Sequence, residues 1–239
     1  MPNGQLRLLI GGHQRASWRL RMSTSKTDRY CVIGDLHGRL ATLDRILERS
    51  PGYHYVFLGD IIHHKSFFKR SRRTSPLKML LTVKELVEAG KATFILGNNE
   101  NYVLENLVLP RSQIKRKEVR YTLEALRELP LEKRLDLLHW LSTSPLCISF
   151  ESYGRTYRCS HAYYDPLYTP ETRTRVLHGL GYPWFRNDPL EDHVDSDIEY
   201  IFGHYGYPYF RKNIKILDAT NFEGVGVYYT DREEFMIYY

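Results

Sequence analysis

The sequence predicts an α/β fold, one domain in which two sheets pack together, and three observations carry that prediction. Three short apolar runs, "RYCVIGD" (29–35), "YVFLGD" (55–60) and "FILGNNE" (94–100), each end at a glycine followed by a side chain able to hold a metal. Helical patterns separate the runs, which is the signature of βαβ units and a mostly parallel sheet. After residue 146 the pattern changes to short strands around turns, which calls for a second sheet.

Taken in chain order, the first run reads as a buried strand. "RLATLDRILERS" (39–50) then sets Leu40, Leu43, Ile46 and Leu47 on one helical face, and Pro51-Gly52 ends that helix. The second run repeats strand, glycine, aspartate. Ser75-Pro76 suits an N-cap and a first helical position, "LKMLLTVKELVEA" continues with helical spacing, and Gly90 supplies the stop. The third strand follows in "KATFILGNN". Residues 112–143 read as two amphipathic helices split near Leu129-Pro130, an excursion from the sheet. "LCISFES" and "RTYRCSHA" (146–162) read as two strands around a Tyr153-Gly154 turn. "YIFGH" (200–204), "IKILDAT" (214–220) and "GVGVYYT" (224–230) are further strands, the last two expected to adjoin. Ligands of parallel sheets bind beyond the carboxyl ends of the strands, so Asp35, Asp60 and Asn98 are expected along one edge.

A chain of 239 residues with 42% hydrophobic and 13% aromatic content can bury a large core, which excludes a disordered protein. The formal charge of +6 is concentrated in residues 1–29, where Arg7, Arg15, Arg19, Arg21, Lys26 and Arg29 face only Asp28. That stretch has no sustained period and reads as a basic, flexible extension ahead of a domain at 30–239. It lacks the long apolar segment of a signal peptide, and nothing later approaches a membrane span, so a cytoplasmic protein with no membrane partner is expected. Cys31, Cys147 and Cys159 are odd in number and lack metal-knuckle spacing; small buried residues in a reducing compartment fit them best.

Five polar clusters follow strand ends in order: Asp35-Leu36-His37, Asp60, Asn98, His161 and His204. Carboxylate, carboxamide and imidazole together suit two adjacent divalent cations. A carboxylate can bridge both ions, and neutral ligands keep the cations Lewis acidic. The blocks "GDLHG" (34–38), "GD" (59–60), "GNNE" (97–100), "SHA" (160–162) and "FGH" (202–204) resemble the signature blocks of the calcineurin-like metallophosphoesterases, within them the phosphoprotein-phosphatase branch with its bacterial and diadenosine-tetraphosphatase relatives. "YPWFRND" (182–188) is similar to a Trp-x-Arg stretch of the bacterial members. The resemblance spans roughly residues 30–220. It implies the calcineurin-like fold of two packed mixed β-sheets flanked by helices. It also implies a hydrolase in which Asp35 and His37 hold one cation, Asp60 bridges, and Asn98, His161 and His204 complete the second site. Mn²⁺ is the first expectation, with Fe, Zn or Ni as alternatives. The resemblance further implies a hydroxide held between the ions that attacks phosphorus; Arg186 is the candidate to grip phosphate oxygens, with a surface arginine in a Pro-rich loop as the alternative reading. Asp218 matches a position that supports a ligand.

The chain departs from the family pattern at three positions. The block that usually carries Asn-His reads Asn98-Asn99, and the usual Asp-Arg of the second block is His63-His64. A carboxamide releases no proton near neutrality, so Asn99 can only donate a hydrogen bond. Three readings stay open: His63 has taken over as proton donor, the leaving group needs no acid, or the centre binds metal and phosphate without useful turnover. "HHKSFFKRSRRTS" (63–75) follows with Lys65, Lys69, Arg70, Arg72 and Arg73 around Phe67 and Phe68. That loop could steer a nucleotide, a phosphoprotein or nucleic acid, or serve as a solvated surface. Tyr163, Tyr164 and Tyr168 are expected to cover the sheet edge. The competing function is a catalytically weak phosphate- or nucleic-acid-binding protein on the same scaffold.

Overall fold

A computed structural model describes residues 28–62, 76–107, 120–163, 176–179 and 197–239. β1 (Tyr30–Ile33) is buried along its whole length, and its side chains alternate between two cores. Cys31 and Ile33 join the helix-facing core. Tyr30 and Val32 join the core between the sheets. β2 (His54–Phe57) divides in the same way, with Tyr55 and Phe57 on one face and Val56 on the other. A strand covered on both faces reads as a continuous apolar run, which is why these two stood out in the sequence.

The first sheet has the order β10-β9-β1-β2-β3. Its parallel part is β1, β2 and β3 (Ala92–Phe94), linked through α1 (Leu40–Arg49) and α2 (Pro76–Glu88). β9 (Val225–Tyr229) pairs antiparallel with β1, and β10 (Glu234–Tyr238) pairs antiparallel with β9. The second sheet has the order β4-β5-β6-β8-β7. β4 (Cys147–Ser152) and β5 (Arg155–Ser160) form a hairpin, β6 (Ile198–Phe202) and β8 (Ile214–Ile216) continue parallel to β5, and β7 (Tyr209–Arg211) closes the edge antiparallel to β8. Both sheets are therefore mixed, as the resemblance implied.

α3 (Asn98–Asn106), α4 (Arg120–Glu128) and α5 (Leu131–Thr143) pack as a group beside α2 and β3. The helix pair predicted around Leu129-Pro130 is α4 and α5. Phe94 of β3 meets Trp140 of α5 at a ring-centroid distance of 4.9 Å. Between the sheets, Tyr30 stacks on Phe150 at 4.1 Å and Phe150 on Tyr157 at 5.3 Å.

One expectation fails here. β8 and β9 do not adjoin: β8 belongs to the second sheet and β9 to the first. A 3₁₀ turn over Thr220–Phe222, ended by Glu223 at φ 58°, carries the chain across the sandwich between them. The three cysteines are buried and none forms a disulfide, and burial pushes the Cys31 thiol up to about 12. No helix of the described residues is long and apolar enough to cross a membrane. Residues 1–27, the loop at 63–75, and Tyr164, Tyr168 and Arg186 lie outside the described residues.

Candidate metal centre

Every predicted ligand sits just past the carboxyl end of a parallel strand. Asp35 and His37 follow β1, Asp60 follows β2, Asn98 opens α3 after β3, His161 follows β5, and His204 follows β6. Four of the six thus come from the first sheet and two from the second. The sheets pack so that these ends meet. His37, Asp60 and His204 all hold positive φ, at 44°, 48° and 71°. Non-glycine residues seldom adopt that conformation, and it turns each side chain out of the direction of its strand.

Close main-chain approach brings the blocks together. A Cβ on Gly203 would lie 2.2 Å from Asp35 Oδ1, and one on Gly97 would lie 2.2 Å from the Asp60 nitrogen. Asp35 Oδ1 accepts the His204 N–H at 3.0 Å, which joins the two sheets at the site. Asp60 Oδ1 accepts the Asn99 N–H at 2.9 Å. The main chain of His37 donates to Asp60 O at 2.9 Å, and that of Gly38 to Ile61 O at 2.7 Å.

The donor set is crowded with lone pairs. His161 donates from Nδ1 to Leu58 O at 2.8 Å, which fixes its tautomer and leaves Nε2 as an acceptor. That Nε2 lies 2.7 Å from Asn98 Oδ1, 3.4 Å from Asp60 Oδ1 and 3.2 Å from His204 Nδ1. Asn98 Oδ1 is also 3.1 Å from His204 Nδ1. Such packing of Lewis-basic atoms has two solutions. The Asn98 amide can turn over and donate from its NH₂ to Asp60, His161 and His204, or a cation can take the centre. Asp35 with His37 and Asp218, and Asp35 with Asp60 and His161, each bring three potential ligand atoms within 4.8 Å of one another. Two overlapping groups suit two adjacent cations.

Charge points the same way. Asp35, Asp60, Glu100 and Asp218 are all buried. Burial pushes the Asp35 carboxyl well above the usual carboxylate range, with the charges of Asp218 and Asp60 adding and the His204 N–H opposing. Asp218 is raised for the same first reason, against hydrogen bonds from Thr220 and Gly206. Burial and the neighbouring His204 hold the His161 imidazole well below its ordinary value, hence neutral and able to coordinate. Burial lowers the half-buried Arg39 guanidinium, while the charges of Asp218, Asp35 and Glu223 support it. Cations would relieve the surplus of buried acid that these shifts record.

Asn99 is buried beside Asn98, and among the described residues its Nδ2 has no hydrogen-bond partner. His63, His64 and Arg186 lie outside the described residues, so of the four expected catalytic side chains only Asn99 is described. Asp218 brings an oxygen within 4.8 Å of ligand atoms of Asp35 and His37 and accepts from the main chain of Gly206 and of Thr220 (2.9 Å). Two groups were missed. Glu100 accepts the main-chain N–H of Asp60 (2.9 Å), Ile62 (3.1 Å) and Gly97 (3.1 Å), clamping the second block to the third. Its signal was present: Gly97 is the N-cap of α3, and an acid three residues later commonly reaches back to the cap N–H. His178 lies with its ring 6.2 Å from that of His204 and its nitrogens 3.3 and 3.4 Å from Tyr102 Oη. A lone histidine outside any motif gives no such signal.

A calcineurin-like phosphoesterase family profile matches residues 29–233. Among solved structures, a protein named provisionally as a diadenosine tetraphosphatase superposes with a TM-score of 0.61 at 16% identity, covering 89% of this chain and 94% of that one. A metallophosphoesterase from Sphaerobacter thermophilus gives 0.51 at 16%, covering 88% and 87%. A hypothetical protein from Pyrococcus horikoshii OT3 gives 0.54 at 14%, covering 87% and 86%. At these identities the likeness speaks for the shared fold. No curated protein matches the sequence.

Proposed function

The chain belongs to the calcineurin-like phosphoesterases, metal-dependent hydrolases of phosphorylated substrates, and we propose that it cleaves a phosphate ester at a pair of divalent cations, Mn²⁺ first among them. In this reading Asp35 and His37 would hold one cation, Asn98, His161 and His204 would hold the other, and Asp60 would serve as a ligand to the pair. Bound there, two such ions supply Lewis acidity toward phosphoryl oxygens and a hydroxide-strength nucleophile at neutral pH. The observation that carries the proposal is the convergence of Asp60, Asn98, His161 and His204, drawn from four strand ends in two sheets, with contacts of 2.7 to 3.4 Å and the His161 tautomer fixed for coordination.

The protein's own groups do the rest. His161 is oriented by Leu58, Asp60 by the Glu100 clamp, and Asp35 by the His204 N–H. The Asn99 Nδ2, which has no partner among the described residues, is a donor available near Asn98 to a leaving oxygen. Because a carboxamide keeps its protons, the acid is assigned to His63, with His64 and Arg186 binding phosphate oxygens. A substrate whose leaving group is itself a nucleotide phosphate or an aryloxide needs that acid least.

The test loads the protein with Mn²⁺ and follows p-nitrophenyl phosphate and bis-p-nitrophenyl phosphate, with metal content measured in parallel. Turnover of at least one ester, lost together with bound metal in Asp60→Asn and His161→Ala, is expected. No turnover of either ester, with nucleic-acid binding that depends on residues 65–73, would replace the enzyme reading with a binding role. For the acid, His63→Ala should slow an alkyl ester by about 10²- to 10⁴-fold and spare the aryl ester. Equal effects on both would remove His63 from that role.

A further inference from the structure

Two segments that follow candidate ligand positions in the chain carry a pair of aromatic rings that no catalytic role explains. Tyr207 is 57% exposed and Phe222 is 50% exposed, and the two rings meet edge to face with centroids 5.8 Å apart. A single exposed aromatic side chain is ordinary, but two that share their apolar surface and still face water form a patch. Their main chains are tied to the candidate metal centre. Tyr207 stands three residues after His204, and Phe222 four residues after Asp218. The Asp218 carboxylate accepts from the Gly206 main chain on one side and from the Thr220 N–H (2.9 Å) and hydroxyl on the other. The same carboxylate offers an atom within 4.8 Å of ligand atoms of Asp35 and His37.

The two segments are also locked to each other. Asn221 donates its main-chain N–H to Gly206 O at 3.0 Å. Gly206 has φ 81°, and a Cβ there would lie 2.5 Å from Asn221 Nδ2. On the other side Tyr205 is held inward by its hydroxyl, which donates to Ala162 O at 2.6 Å. The rings are thus presented by a fixed frame, so little order is lost when something binds them. Around them Asn221 and Glu223 are exposed, one a carboxamide with both donor and acceptor atoms and the other a carboxylate acceptor.

We propose that Tyr207 and Phe222 form a subsite for the base of a nucleoside 5′-phosphate whose phosphate occupies the metal centre, with Asn221 and Glu223 facing the edge of the base. This rests on the phosphoesterase reading for the phosphate end alone. A nucleotide joins a phosphate to a planar ring carrying hydrogen-bonding edges, which is the set of features the two halves of this surface match. Ring stacking on aromatic side chains tolerates every base, so the subsite selects nucleotides as a class.

The experiment measures equilibrium binding of AMP and of inorganic phosphate to the Mn²⁺-loaded protein by calorimetry, alongside turnover of p-nitrophenyl phosphate. AMP is expected to bind more tightly than phosphate, and Tyr207→Ala and Phe222→Ala are each expected to weaken AMP roughly tenfold relative to phosphate. Tyr207→Phe, which keeps the ring, should restore the preference. AMP no tighter than phosphate, or a preference untouched by both alanine substitutions, would overturn the subsite. If p-nitrophenyl phosphate is turned over while AMP shows no preference, the subsite alone fails. If AMP is preferred and no ester is cleaved, the hydrolytic reading alone fails.

Discussion

Glu100 is closed in by three main-chain donors, two of them, Asp60 and Gly97, sharing Oε2 and the third, Ile62, on Oε1. A glutamine fits the same space but must turn an NH₂ toward at least one of those N–H groups. Leaving a buried donor unmet costs about 1–3 kcal/mol, so Glu100→Gln should lower the urea midpoint by a corresponding amount. It should also lower kcat on p-nitrophenyl phosphate, because the Asp60 carboxylate is placed by the loop that Glu100 anchors. A variant with unchanged midpoint and unchanged kcat would show that the clamp carries nothing. The case also marks what the sequence could say at this scale. The placement of Asp35, His37, Asp60, Asn98, His161 and His204 past strand ends was legible because short apolar runs that stop at glycine and a polar side chain mark where parallel strands end. Glu100 and His178 were not assigned a role, since their partners are main-chain groups and distant rings that only the folded chain brings near. Gly97 and Gly203 belong to the same group: their need for bare Cα atoms arises from the carboxylates that pack against them.

The β4–β5 hairpin turns on Tyr153 and Gly154, the two residues between the paired Ser152 and Arg155. Both have positive φ, 48° and 77°, the requirement of the two-residue turn whose twist matches that of the strands. Gly154 adopts it freely, while Tyr153 holds a left-handed conformation that costs a non-glycine residue about 1 kcal/mol and that asparagine tolerates better. Tyr153 is 59% exposed, so removing its ring gives up little packing. Tyr153→Asn should therefore stabilise the protein by up to about 1 kcal/mol, read as a higher melting temperature. A lower melting temperature would mean that the ring packs to some purpose. This turn was readable because its chemistry is local. Strand partnership was not. β7 and β10 went unrecognised, one being three residues long and largely exposed, the other an edge strand. β8 and β9 were expected side by side because a short apolar run carries no mark of which sheet it joins. The turn at Thr220–Phe222 decides that, and it reads in sequence like any other polar connection.

At the scale of the whole molecule, the two sheets are joined at both ends by different means. Away from the metal centre, Ser152 donates to Thr230 Oγ1 at 2.8 Å, the Tyr30 N–H reaches the same oxygen at 3.0 Å, and an aromatic core fills the space between. At the other end the buried Asp35 and Asp60 of the first sheet meet Asp218, His161 and His204, which follow strands of the second. The first set of contacts needs no cation, so a metal-depleted protein should keep its fold and a single unfolding transition. The second set gathers buried acid that a cation would neutralise, so metal should stabilise the native state by RT ln(1 + c/Kd), where c is the free metal concentration. At a hundredfold excess over the dissociation constant the gain is about 2.7 kcal/mol, or roughly 5–10 °C in melting temperature for a chain of this length. Stripping the protein with EDTA should produce that drop, adding back Mn²⁺ should reverse it, and His161→Ala should abolish most of the response. The response is confined to the native state, since the unfolded chain scatters the six side chains over residues 35–204. A melting temperature indifferent to chelator in the unsubstituted protein would mean that these strand ends meet for packing alone, and the proposed cation pair would fall with it.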